Sequence, residues 1–195
     1  MKYFIILFIY FFNITLSEII PKIETYKNGR VRTITYLKRE DNRLIKVKLE
    51  NYFSSGQLES SVKFKDNQKN GEYISYWENG KMSSSGYFNN GKMDSLWNFW
   101  DNNGDLEGIS RWKGDLKHGK WTAFYNSGQI QKESIFHEGE LEGFQFEYHK
   151  NGSKAMQAEW ANGKKCGTWK YWDDNGTLMF EEYYVANNLT GKKVF

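Results

Sequence analysis

The segment Trp121–Gly139, WTAFYNSGQIQKESIFHEG, contains two short runs rich in aromatic and β-branched residues, each followed by turn residues. Trp121–Tyr125 and Ile130–Phe136 predict two strands, because side chains of these types suit a pleated surface. The residues that follow each run end in glycine, which adopts a positive φ without a Cβ clash. The segment therefore predicts one β-hairpin.

This hairpin recurs along the chain with a period of 24 residues. Three positions of the repeat carry the same type of residue in all six units, which composition alone does not produce. The first is a turn glycine, at Gly56, Gly80, Gly104, Gly128, Gly152 and Gly176. Four residues earlier lies an aromatic residue, at Tyr52, Tyr76, Trp100, Phe124, Tyr148 and Trp172. Eight residues after the glycine lies another, at Phe64, Phe88, Trp112, Phe136, Trp160 and Tyr184. We expect these residues to form turns and core.

The period predicts an all-β fold, an elongated antiparallel sheet of tandem β-hairpins. The chain divides into three parts: residues 1–17, a signal peptide; 18–46, a basic capping hairpin region; and 47–195, six repeats and a short tail. A single hairpin is unstable on its own, so stacking of aromatic side chains between neighbouring hairpins is expected to stabilise the array.

Residues 1–17 have the pattern of a secretory signal. Lys2 precedes ten apolar residues, and a polar segment with Thr15 and Ser17 follows them. The apolar run is shorter than a membrane-spanning helix requires. We expect cleavage after Ser17 and a location in the periplasm, in the cell envelope or outside the cell. The alternative is an uncleaved N-terminal membrane anchor.

Residues 22–48 contain nine basic and three acidic residues, a net charge of +6. Such a region is expected at the exposed end of a sheet, where charge prevents pairing with other chains. It is also suited to an anionic partner such as lipid headgroups.

The overall composition excludes several classes of protein. The chain has 195 residues with 35 aromatic ones, too many for intrinsic disorder. The net charge of +3 is too small for a dedicated nucleic-acid-binding protein. The single cysteine, Cys166, excludes an internal disulfide and a cysteine-based zinc site.

The sequence indicates no catalytic, cofactor-binding or metal-binding residues. His118, His137 and His149 occupy different repeat positions and lack the short spacing of a metal motif. The nucleophile and phosphate-binding motifs of common enzymes do not occur in it. We therefore expect a protein that is not an enzyme.

The units Gly119–Gly128 and Gly167–Gly176 resemble repeats of the MORN-repeat-variant family. The second half of the family pattern is similar to Phe88–Lys92 and Trp160–Lys164. The resemblance covers about residues 47–191 and implies a binding module without catalytic residues. Proteins of this family are often labelled antitoxins, although a signal peptide does not suit the neutralisation of a cytosolic toxin.

The expected function is therefore binding to another protein, in an exported, antitoxin-like scaffold. Two alternatives remain open. One is an anionic-lipid-binding envelope protein that acts through residues 22–48. The other is binding of glycan or choline between aromatic hairpins, because Trp169–Leu178 is similar to cell-wall-binding repeats.

Overall fold

A computed structural model describes residues 18–195, which contain sixteen strands and no helix. The predicted signal peptide, residues 1–17, lies outside the described residues. The strands are β1 Ile19–Thr25, β2 Val31–Glu40, β3 Arg43–Tyr52, β4 Leu58–Lys65, β5 Gln68–Tyr76, β6 Met82–Asn89, β7 Lys92–Trp100, β8 Leu106–Lys113, β9 Leu116–Phe124, β10 Ile130–His137, β11 Glu140–Leu141, β12 Gly143–Tyr148, β13 Lys154–Ala161, β14 Lys164–Trp172, β15 Leu178–Val185 and β16 Asn188–Val194. In this part of the chain, therefore, nothing has the helical length and apolarity needed to cross a membrane.

All strands belong to one antiparallel sheet in chain order from β1 to β16, with the short β11 pairing only with β10. Every substantial strand contact joins neighbours in this order, so within residues 18–195 no second layer packs on the sheet. The sheet does not close on itself. Fifteen strands side by side span on the order of 70 Å. The predicted all-β hairpin architecture is confirmed, and strands β1–β3 continue the same sheet.

Positions in the repeat are numbered here from Val47, Gly71, Ser95, Gly119, Gly143 and Gly167 as position 1. The predicted turn glycines are then position 10 of each unit. Each adopts a φ between +81° and +94°, and the same turn precedes the first unit, at Gly29. The backbone amide of Gly128 donates a hydrogen bond to the carbonyl of Tyr125, and the amide of Tyr125 donates one to the carbonyl of Gln129. A side chain at Gly128 would meet nothing within 4 Å, so backbone conformation selects glycine there.

The turns at the opposite ends of the strands each have two central residues with positive φ. This is the type I′ geometry, whose twist matches that of the flanking strands. The seven pairs are Asp41-Asn42, Asp66-Asn67, Asn90-Gly91, Gly114-Asp115, Glu138-Gly139, Asn162-Gly163 and Ala186-Asn187. Five of these turns also donate a backbone hydrogen bond to the preceding hairpin, for example from Gly139 to Lys117. Neighbouring hairpins are therefore joined by these turn hydrogen bonds as well as by the hydrogen bonds between paired strands.

A bulge at the start of most repeats fixes which side chains share a face. Between β8 and β9, the register passes from Ser110 opposite Trp121 to Trp112 opposite Lys117. A step of two residues along β8 thus corresponds to a step of four residues along β9. Gly119, which lies in this bulge, has a φ of +75°. The same bulge recurs between β4 and β5, β6 and β7, and β13 and β14.

Candidate functional site

One face of the sheet carries a ladder of aromatic rings, and we call it the aromatic face. Its rings come from positions 3 and 18, which the bulge places side by side. They form three triplets with neighbouring ring centroids 5.1–5.5 Å apart: Tyr73–Phe88–Trp97, Trp112–Trp121–Phe136 and Trp160–Trp169–Tyr184. Trp97 and Trp169 are only 3% and 5% exposed, although the sheet has a single layer. The aromatic face therefore holds most of the small hydrophobic core.

The bulge also supplies a hydrogen-bond partner for each position-3 indole. The indole N–H donates to the position-17 carbonyl of the preceding unit, over distances of 3.0–3.2 Å. The three pairs are Trp97 to Tyr87, Trp121 to Arg111, and Trp169 to Glu159. Gln145 holds position 3 in the fifth unit, where the Glu142 backbone amide donates to Ile135 instead and the strand divides into β11 and β12.

The indoles lie over small residues at position 16. Gly86 is directly beneath Trp97, and a Cβ added to Gly86 would lie 2.2 Å from the indole. In later units Ser110, Ser134 and Ala158 hold this position, and all three are almost fully buried. Small residues here let the large rings lie flat on the sheet.

A lysine covers the rings in every second unit, at position 23. The ammonium of Lys117 lies 4.2 Å from the centre of the Trp121 ring and 4.9 Å from that of Phe136. The Lys69 ammonium lies 4.8 Å from the centre of the Phe88 ring. The Lys165 ammonium lies 4.4 Å from that of Trp169 and 4.8 Å from that of Tyr184. Cations in this geometry are attracted to the aromatic quadrupole. The faces of these rings are therefore in contact with the chain's own cations.

The aromatic face has an open indentation between β7 and β10, which we call the notch. Its floor is formed by Gly108, Ser110, Ala123 and Ser134, and its volume is about 630 Å³. Phe99 and Lys132 stand on its two sides, and the Trp121 ring closes part of one end. It arises because Gly108 and Ala123 are paired across β8 and β9 and neither has a large side chain.

The opposite face carries the position-6 aromatics, together with clusters of tyrosine, glutamate and lysine. In the best-buried cluster, the hydroxyls of Tyr36 and Tyr52 each donate to Glu50 at 2.7 Å, and Lys48 lies 2.6 Å from the same carboxylate. Burial raises the pKa of Glu50, but the hydrogen bonds from Lys48, Tyr36 and Tyr52 outweigh it and hold the pKa below its ordinary value. Burial and the Glu50 charge raise the pKa of Tyr52.

Exposed apolar side chains on this opposite face are separated by charge. Leu96 lies opposite Arg111, and Ile135 lies opposite Lys120. Phe144 is likewise paired with Glu159. The opposite face therefore lacks a continuous apolar surface across these strands.

The structure thus places the three predicted registers at three locations. Position 10 forms turns, position 18 lies on the aromatic face, and position 6 lies on the opposite face. Two contributors to the candidate site were not predicted: the position-3 aromatics and the position-23 lysines. The sequence does contain a pattern for the position-3 aromatics. An aromatic residue lies two places after the first residue of four units, at Tyr73, Trp97, Trp121 and Trp169.

The basic residues of 22–48 do not form one surface. Lys46 lies over the Phe64 ring at 3.7 Å on the aromatic face, whereas Lys48 pairs with Glu50 on the opposite face. Lys22 and Arg32 both pair with Glu24. The net charge of this segment is therefore divided between two faces and partly neutralised.

The candidate metal and thiol chemistry is limited. The His118 and His137 rings lie 5.5 Å apart, but among residues 18–195 no three side chains of the metal-ligating types form a site. Burial and the nearby carboxylates of Glu159 and Glu142 raise the pKa of the Cys166 thiol, which opposes thiolate formation.

Comparison with known proteins identifies the repeat. The sequence model of the MORN repeat variant matches residues 69–90, 117–138 and 165–186. Successive matches begin 48 residues apart. Each match starts at a position-23 lysine and covers every second hairpin. The chain is also similar to a solved structure, a protein of unknown function from Bacteroides fragilis. That protein is 10% identical, with 92% of this chain and 93% of that chain covered and a TM-score of 0.18. No curated protein shows a significant match.

Three hairpins of the array thus match a known repeat directly, and the intervening hairpins share the same turn glycine at position 10. These three segments are MORN-variant repeats, and they lie with the intervening hairpins in one open antiparallel sheet.

Proposed function

We propose that the chain is an exported, non-enzymatic scaffold that binds another protein on its aromatic face. The observation that supports this most strongly is the single-layer sheet, which leaves the ring triplets of the aromatic face without a covering layer in residues 18–195. Aromatic residues are enriched in the core of protein-binding sites, and polar residues surround that core. MORN-type repeats are consistent with a binding role.

Export is proposed from the N-terminal sequence pattern. If the signal is cleaved as expected, the mature chain begins at Glu18, one residue before β1. An antitoxin-like role then applies to a partner in the envelope or outside the cell. N-terminal sequencing of the fractionated protein tests this directly, since a chain that retains Met1 in the cytoplasm would overturn the export proposal.

Partner binding is tested by purifying the tagged chain from native envelopes under gentle detergent. We expect one protein to be enriched at a stoichiometric level. A matched variant, Trp121→Ser, removes a central ring of the aromatic face, and its folding is checked by circular dichroism. Equal recovery of the same protein with the folded variant, or no enriched protein with the native chain, would contradict the proposal.

A further inference from the structure

The notch lies at a break in an otherwise filled row of side chains. Across β7 to β10, this row consists of Phe99, Gly108, Ala123 and Lys132, each paired with the next. The outer two residues are three strand spacings apart, about 14 Å. The middle two contribute almost no side chain, so the gap between Phe99 and Lys132 has the width of a planar ring with its contacts.

The floor and walls of the notch are suited to an aromatic group. Ser110 and Ser134 are 2% and 5% exposed, so the floor presents little free polar surface. The hydroxyl of Ser110 already accepts a hydrogen bond from the Trp112 indole at 2.8 Å. Phe99 and Trp121 provide ring walls for stacking or edge contacts.

The two ends of the notch carry opposite charges. Lys117 lies at the Trp121 end, and Glu107 lies at the other end, beyond Gly108. Neither side chain forms a salt bridge within residues 18–195, whereas Lys132 on the side wall is paired with Glu147 at 3.0 Å. An extended peptide lying along the strands would therefore meet a cation at one end of the notch and an anion at the other.

We propose that the notch binds an aromatic side chain of the partner protein, within a segment that has an acidic residue facing Lys117 and a basic residue facing Glu107. This inference rests on the proposed function and specifies which partner chemistry the aromatic face recognises. Aromatic side chains in well-packed central pockets contribute much of the affinity at protein interfaces, and complementary charges around them contribute specificity.

The test is selection of a phage library of random linear peptides on the full chain. We expect the recovered peptides to share one aromatic residue with an acidic residue on one side and a basic residue on the other. The variant Ala123→Leu fills the notch and is preferred to a change at Gly108, where a Cβ would lie 3.3 Å from the Thr122 carbonyl. We expect this variant to lower recovery of those peptides by about tenfold or more.

The control variant is Thr122→Leu, which adds the same side chain on the same strand but on the opposite face. It should leave peptide recovery unchanged. Lys117→Met should remove only the acidic preference, because methionine and leucine already occupy position 23 in other units. Peptides without an aromatic consensus, or equal recovery on the Ala123→Leu variant, would overturn the inference. If an envelope partner still binds the Ala123→Leu variant fully, the notch is excluded while the proposed function stands.

Discussion

At the scale of single residues, the fold depends on how each large ring is seated. Trp97 combines a hydrogen bond to Tyr87, ring contacts with Tyr73 and Phe88, and a glycine beneath it. These contacts bury the indole almost completely in a sheet with one layer. The size of the residue at position 16 therefore limits the ring that position 3 can hold.

Substitution of Gly86 tests this relationship. Gly86→Ala places a methyl group where the Trp97 indole lies, so we expect a loss of about 1–3 kcal/mol in the free energy of unfolding. Chemical denaturation measures it. In a double-mutant cycle with Trp97→Leu the two losses should be less than additive, because the smaller side chain removes the overlap. Additive losses would show that Gly86 and Trp97 do not interact.

At the scale of the strand and hairpin, the sequence predicts the elements well but not their faces. The 24-residue period and the Asn-Gly turns identify the hairpins because turn conformation restricts residue type locally. The face of a side chain depends instead on the bulge at position 1, where Gly119 and Ser95 both have positive φ. Serine gives no sign of that conformation in the sequence, so the separation of positions 6 and 18 required the structure.

Hairpins are also joined by buried carboxylate clusters that contact two or three strands. Glu50 on β3 receives hydrogen bonds from Tyr36 on β2 and from Tyr52. Glu182 on β15 pairs with Lys192 on β16 at 3.3 Å. Burial raises the pKa of Glu182, but the hydrogen bonds from Tyr184 and Lys192 outweigh it and keep the pKa low. Both clusters thus require ionised carboxylates.

This requirement predicts a loss of stability in acid. Because the folded-state pKa of Glu50 is lowered, its stabilising effect is present above the unfolded-state pKa, about 4.3, and is lost as the pH falls through the lower folded-state value. The melting temperature of the native chain should therefore fall in that range. Glu50→Gln should be less stable near neutral pH and should converge with the native chain in acid.

The matched control for this experiment is Glu59→Gln, since Glu59 is exposed and forms no salt bridge within residues 18–195. Its melting curve against pH should follow that of the native chain. Parallel curves for the native chain and Glu50→Gln over the whole range would contradict the role assigned to the cluster.

At the scale of the whole molecule, the sheet presents two faces of different character. The aromatic face carries the ring ladder and the notch, and the opposite face alternates apolar and charged residues. The notch could not be predicted because Gly108 and Ala123 are 15 residues apart and become neighbours only when the register of β8 and β9 is known. The repeat itself could be predicted, since every unit must satisfy the same turns and ladders.

The most direct measurement of the central claim is site-specific photo-crosslinking in the producing cell. A photoreactive phenylalanine analogue at Lys132 projects from the aromatic face, and one at Ile135 projects from the opposite face of the same strand, β10. Lys132 pairs with Glu147 at the surface, so its replacement should cost little stability. We predict that the Lys132 probe crosslinks to one partner protein and that the Ile135 probe does not. Crosslinks to that partner from Ile135 alone, or from neither position, would contradict binding through the aromatic face.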